Sequence, residues 1–164
     1  MLRLNRMTDY AILLIGILSS RSDERLSGAS LAAHAQLNQP TVGKLAKMLV
    51  KADIMVAERG VHGGYRLARP VTEMNVAQVI EAIEGPIALT ACVEGVQDPC
   101  ETRHGCFMSG HWNEVNNSIQ QALEQVTLDR LFHPANLFPD KTAELSNQSQ
   151  MRVTTTPSSP QEMS

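Results

Sequence analysis

No stretch of the chain approaches the ~18 consecutive apolar residues of a membrane span, and no small-residue cleavage site follows the short apolar run behind Met1-Leu-Arg-Leu-Asn-Arg6. The expectation is a cytoplasmic protein without a membrane partner. A nucleotide-binding glycine loop is missing too. The glycines between Gly60 and Gly64 lack the G-x-G-x-x-G order and lie between two strand-like stretches, where a dinucleotide motif needs a following helix. No paired catalytic acid and base stands out, so neither an enzyme nor a small-molecule substrate is expected. Positive charge is also missing from the total. The formal net charge is -3 and the pI about 5.9, the wrong sign for a nucleic-acid binder taken whole. Its distribution says otherwise: residues 3–69 carry ten Lys or Arg against five Asp or Glu, a balance of +5. The acidic excess sits in the second half, leaving a basic N-terminal module of the kind phosphate contacts require.

Cysteine is absent everywhere except one loop. Cys92, Cys100 and Cys106 form a C-x7-C-x5-C run interrupted by Gly95, Pro99 and Gly105 and followed by Gly110. Buried thiols often serve as small hydrophobes, but these are clustered in a segment that no helix or strand would pack. A disulfide would leave one thiol over, and nothing indicates an oxidising compartment. The pattern reads as a metal-binding loop one ligand short of four. The chain length, 164 residues at 43% hydrophobic content, suits one small core with appendages.

Taken in order, Thr8 is placed to cap a helix whose first turn carries Asp9, and Tyr10 to Leu18 is apolar almost all round, as in a buried helix. A second short helix spans Ser27 to His34. After Gln36-Leu-Asn-Gln39 a third begins, with Asn38 or Gln39 as cap and Pro40 in the first turn. Val42, Leu45, Met48 and Leu49 are spaced to bury one face, while Thr41, Lys44, Lys47 and Lys51 occupy the rest. This is the arrangement of a helix-turn-helix. Ile54 to Ala57 then reads as a strand, Glu58 to Gly64 as a glycine-rich turn, and Tyr65 to Leu67 as the return strand, with Val56, Tyr65 and Leu67 expected to be buried. Such a wing lets Arg59 reach a minor groove or phosphate. His34 and His62 are read as surface residues.

Asn75 is placed to cap a fourth helix, Val76 to Ile83, with Val76, Val79, Ile80 and Ile83 toward the core, and Gly85-Pro86 stops it. Beyond the cysteines, Trp112, Val115, Ile119, Ala122 and Val126 recur at three and four residues, the seam of a helix that packs on another helix. A small winged domain offers no obvious internal partner for it, so a homodimer is expected. Thr127 to Phe132 reads as a capped final turn. The Ser-, Thr-, Gln- and Pro-rich remainder is read as disordered.

These features together resemble the IscR/NsrR family of dimeric bacterial transcription regulators. The likeness covers Met1 to about Phe132 and rests on the opening Leu4 to Ala11, the wing Arg59-Gly-Val-His-Gly-Gly-Tyr65, the three cysteines after the fourth helix, and Trp112 opening the last long helix. The opening Met-Leu-Arg-Leu with Thr-Asp-Tyr looks most like the branch that regulates the SUF iron-sulfur assembly operon.

The resemblance implies a mainly α fold, a winged helix-turn-helix with a two-stranded β wing and a long C-terminal dimerisation helix. The expected division is a DNA-binding domain (1–84), a cluster-binding loop (85–110), the dimerisation helix and final turn (111–133) and a disordered tail (134–164). It implies an iron-sulfur cluster, [2Fe-2S] or [4Fe-4S], held by Cys92, Cys100 and Cys106, whose state controls affinity for double-stranded operator DNA. The regulator would act as a repressor of iron-sulfur assembly genes. Asn38, Pro40, Thr41, Gly43 and Lys44 match the family's recognition-helix positions, and Arg59 and Gly60 its wing positions. IscR itself reads DNA with serine, tyrosine, glutamate and glutamine in that helix, so its operator sequence does not carry over to this chain.

The fourth ligand departs as well. Ser109 stands where IscR has its histidine, whereas Asp9 stands where NsrR uses a first-helix aspartate donated by the other subunit. Asp9 is otherwise explained by the helix dipole, and His104 and His111 are alternatives. Nitric oxide or redox sensing for other genes, a zinc or thiol-based regulator on the same fold, and an iron-sulfur enzyme or cluster carrier are the rival readings.

Overall fold

In the computed structural model, residues 4–60, 63–93 and 111–132 are described. The first helix, α1 (Arg6–Ser19), starts three residues earlier than a Thr8 cap requires. Asn5 caps it instead, its side chain accepting from the Met7 N–H at 3.2 Å. Thr8 faces inward and is fully buried. Ala11, Leu14, Ile15 and Leu18 follow one another at helical spacing and are buried. Each of the larger three contributes about 1.5–3 kcal/mol of burial. The helix is not apolar-covered all round: Leu13 is 43% exposed.

Ser27 caps α2 (Gly28–Ala35) through the Ser30 N–H. Gln36 turns left-handed at φ 54° to end it, and α3 (Gln39–Lys51) begins two residues after Leu37. On α3 the inward residues are Val42, Leu45, Ala46 and Leu49, while Met48 is only half-buried. The hairpin forms β1 (Met55–Glu58) and β2 (Gly64–Leu67), antiparallel with Met55 opposite Leu67 and Glu58 opposite Gly64. Its residues enter the core one position earlier than the alternation suggests. Ile54 and Met55 are buried at 1%, whereas Val56, Tyr65 and Leu67 are half-buried. The cause is the short linkage to α3: the Ile54 N–H bonds Leu49 O at 3.0 Å, drawing the strand's start under the helix. A bridge between Leu26 and Tyr65 ties the wing to the entry of α2.

After a 3-10 turn (Val71–Glu73), α4 (Val76–Glu84) opens with a reciprocal capping box between Asn75 and Gln78. Val76, Ala77, Val79 and Ile80 are buried, and Ile83 is half-buried. The helix touches α1, α3 and α5 (His111–Glu124). A final short helix, α6 (Leu128–Phe132), is locked to the start of α4. The Val76 N–H donates to Val126 O and the Leu128 N–H to Met74 O, each at 2.9 Å, with Leu128 fully buried. No helix among the described residues is long and apolar enough to cross a membrane.

Much of the expected α5 seam therefore meets its own chain. Asn116 is the buried position, and Trp112, Ile119 and Val126 are half-buried. Val115, 44% exposed, and Ala122 lie outward. The chain supplies an inner partner for this helix, and only an outer apolar strip remains uncovered.

Candidate nucleic-acid interface and cysteine segment

The α3 end that would meet DNA is held by Asn38, whose Oδ1 accepts from the Thr41 N–H at 2.8 Å. This cap leaves the side-chain amide N–H groups available, while the exposed Lys44, Lys47 and Lys51 line the outside. A Cβ added at Gly43 would meet nothing within 4 Å, so packing within the chain does not require glycine there. The surface is bare at that point and open to close approach.

On the wing, Glu58 bridges two arginines: its carboxylate lies 3.0 Å from Arg25 Nη2 and 3.2 Å from Arg66 Nε. These pairs are exposed and each adds little stability. Their consequence is electrostatic, since Glu58 offsets charge on Arg25 and Arg66. Arg59 next to it is exposed and belongs to none of the described ion pairs. Gly60 has φ 119°, a conformation side chains resist, and it lets the wing turn immediately after Arg59. Gly64 serves a different purpose, because a Cβ there would stand 2.7 Å from Leu26 O, in the bridge that docks the wing. Arg69 braces the far end: it donates to Asp53 O at 3.0 Å and to Gln78 Oε1 at 3.4 Å, joining the exit of α3 to the cap of α4. His34 is exposed with Nδ1 2.7 Å from Ser30 O, and His62 lies outside the described residues.

Of the three cysteines, Cys92 is described and half-buried, whereas Cys100, Cys106, His104 and Ser109 lie outside the described residues. Among the described residues, no three His, Cys, Asp or Glu side chains come close enough to share a metal. Asp9 is exposed on α1, and His111 is exposed at the start of α5. The segment leading to Cys92 is fixed at several points. Asn116 Oδ1 accepts from the Leu89 N–H at 3.0 Å and its Nδ2 donates to Ile87 O at 2.8 Å. The Cys92 N–H then donates to Thr90 Oγ1 at 3.3 Å, and Val93, 4% exposed, bonds Thr90 O at 3.2 Å.

The opposite end of α4 grips α1. Glu84 Oε1 accepts from the Asn5 N–H at 2.9 Å and from the Thr8 hydroxyl. The residue before Asp9 is thus tied to the residue that precedes the Gly85-Pro86 turn into the cysteine segment.

Residue spacing along the chain gives no sign of the links made by Asn5, Glu84 and Arg69. Asn116 alone left a readable trace, a polar residue four after Trp112 and three before Ile119 on the inward spacing.

The Rrf2 family, described as "Iron-dependent Transcriptional regulator", matches residues 4–134. The chain is 28% identical over 131 residues to the HTH-type transcriptional regulator NsrR of Oceanobacillus iheyensis, covering 79% of this chain and 89% of that one. Its fold is similar to that of CymR, the global cysteine regulator of B. subtilis, with TM-score 0.60, 22% identity and 80% and 97% of the two chains covered. It is also similar to T. potens IscR, with TM-score 0.55, 22% identity and 92% of each chain covered. A lysine-bearing α3, a glycine-turned wing docked through Leu26 and Tyr65, and a family match across all the described elements lead to one conclusion: the chain belongs to the Rrf2 family of winged-helix, DNA-binding transcriptional regulators and is not an enzyme.

Proposed function

We propose that this regulator is a homodimeric repressor whose affinity for double-stranded operator DNA depends on an iron-sulfur cluster held by Cys92, Cys100 and Cys106. The observation that carries the reading is the tethering of Cys92. The approach to this cysteine is held by the buried Asn116, by the Thr90 turn and by the buried Val93, so the thiol enters the loop from a fixed point. The donor set fits as well: three thiolates concentrated in one loop are the ligand type that iron-sulfur clusters take. When bound, such a cluster supplies a site open to oxidation, nitric oxide or loss.

The chain's own residues do the rest. Asn38 sets the start of α3 so that Thr41, Gly43 and Lys44 face the major groove, with Pro40 fixing the first turn. Arg59 and Gly60 bring the wing to a phosphate or minor groove. The outer strip of α5, with Val115 and Ala122, is proposed to join two copies, since apolar surface left uncovered by its own chain favours a partner. Asp9 is proposed as the fourth ligand, given by the other copy. Its exposure in the single chain leaves it available for that role. His111 remains the alternative on the described helix, and His104 on the loop. The likeness of the opening residues points to iron-sulfur assembly genes as targets.

Anaerobic native mass spectrometry of the wild type beside Asp9→Ala and Cys92→Ser tests these statements together. The expected result is a dimer carrying clusters, lost in Cys92→Ser and destabilised in Asp9→Ala. A wild-type mass without iron and sulfide sinks the cluster, and an unchanged Asp9→Ala spectrum removes Asp9 as ligand. A colourless zinc-loaded species would turn the reading to the zinc or thiol form on the same fold.

A further inference from the structure

Only two polar or charged side chains are buried among the described residues, Thr8 and Asn116. Asn116 stands at 3% exposure in the middle of α5, on the face turned toward its own domain. A buried amide is costly unless its oxygen and nitrogen are both bonded. Here both are, and to two backbone groups of the same neighbouring segment: the Leu89 N–H at 3.0 Å and Ile87 O at 2.8 Å. Neither of those groups has a backbone partner among the described residues. The side chain thus acts as an adjacent strand would, exchanging one donor and one acceptor with residues two apart.

We infer that Asn116 is the positioning residue for Cys92, clamping the segment that carries the cysteine to the helix whose outer face bears Val115. The ligand role of Cys92 and the joining role of α5 rest on the reading above, whereas the clamp itself rests on geometry. Three residues beyond Leu89, Cys92 sits on the turn closed by Thr90 and ended by the buried Val93. With Ile87 and Leu89 fixed on one side and Val93 on the other, Cys92 has little freedom to move independently of α5. A displacement of its thiolate is passed to the helix through two directional bonds rather than through slack chain.

Polar surroundings make the clamp separable from folding. A hollow of about 170 Å³ beside Asn116 is lined by Glu81, Asn113, Asn117 and Gln120 along with Ile87 and Val93. Removing the amide opens onto this polar hollow, where water can satisfy the freed backbone groups. The segment then loosens without collapse of the core.

The test reads Cys92 without any cluster. In full-length chain with Cys100→Ser and Cys106→Ser, reduced and metal-free, alkylation of Cys92 by iodoacetamide is followed by mass spectrometry. Asn116→Ala is expected to raise the rate by roughly fivefold or more, as loss of two hydrogen bonds from a local opening equilibrium implies. Asn116→Asp, which keeps the acceptor for Leu89 but sets an acceptor against Ile87 O, is expected to do the same and serves if the alanine variant does not fold. Gln121→Ala, exposed on the same helix and outside the hollow, is expected to leave the rate unchanged.

A core variant such as Val42→Ala, melting earlier to a similar extent, controls for general loosening and should also leave the rate unchanged. Equal rates for Asn116→Asp and its parent, or equal acceleration in Val42→Ala, overturn the inference. In parallel, the chain with all three cysteines is loaded anaerobically. Faster bleaching of the visible absorption in Asn116→Ala supports the clamp's link to the ligand. If the wild type takes up no cluster while the alkylation contrast persists, the proposed function fails and the clamp stands.

Discussion

Replacing Gly64 with alanine puts the docking of the wing to a quantitative test. An added Cβ would lie 2.7 Å from Leu26 O, 2.8 Å from the Leu26 carbonyl carbon and 3.2 Å from Ser27 N, all backbone atoms that no rotamer change can move aside. The bridge has to open. It consists of the Leu26 N–H to Tyr65 O bond at 3.1 Å and the Tyr65 N–H to Leu26 O bond at 2.8 Å. Each contributes about 1 kcal/mol, and Leu26, 6% exposed, would lose part of its burial with them. The loss comes to about 2–3 kcal/mol. At about 3 °C per kcal/mol for a chain of this size, the melting temperature should fall by about 6–9 °C. Far-ultraviolet circular dichroism of the cluster-free protein measures it, and DNA affinity should fall as well, because Arg59 sits in the same hairpin. A melting temperature within about 1 °C of the wild type would show that the backbone at Gly64 yields easily and that the wing is not docked as described.

Gly43→Ala should act in the opposite direction on stability. With open space around the new Cβ and a helix-interior position, the folded state gains about 0.5–1 kcal/mol in denaturant titrations, while weaker DNA binding is expected if DNA approaches α3 there. Asn38→Ala removes the cap on Thr41 and should cost about 1 kcal/mol by the same titration, together with DNA affinity. Glu84→Ala deprives the buried Thr8 hydroxyl and the Asn5 N–H of their acceptor. A lowered unfolding midpoint worth about 1–2 kcal/mol, with unchanged denaturant slope, is expected. Arg59→Ala should weaken binding and reduce the slope of log affinity against log salt by about one phosphate contact.

The helix-turn-helix was legible because its determinants are local. Asn38, Pro40 and the Val42, Leu45, Leu49 spacing specify the start and the buried face of α3 within one stretch, and the structure keeps them. The cap of α1, in contrast, has a determinant far along the chain. Asn5 and Thr8 are both capping residues in isolation, and the choice between them depends on Glu84, seventy-six residues beyond Thr8, which draws the threonine inward. The wing's buried residues shifted by one because the Ile54 to Leu49 bond, not the alternation of side chains, fixes where the strand enters the core. For α5 the apolar spacing was real, but it could not reveal that Asn116 would be buried against Ile87 and Leu89, since polar residues are ordinarily placed outside. Only the segment's unsatisfied backbone groups make that position favourable.

For the cysteine site, the clustering of three thiols showed where to look. The ligand set itself depends on long-range and inter-copy neighbours that spacing along one chain does not encode. Asp9 illustrates this, since its place in the first turn of α1 is equally served by the helix dipole.

The central claim is that a cluster on the cysteine loop governs DNA binding by the helices and wing before it. Its most direct test is a pair of anaerobic anisotropy titrations of one duplex, selected by the protein from random sequence, using cluster-loaded and cluster-stripped forms of the same preparation at fixed salt. The account predicts affinities that differ by about fivefold or more, with the difference abolished in Cys92→Ser. Identical affinities for the two forms would contradict it.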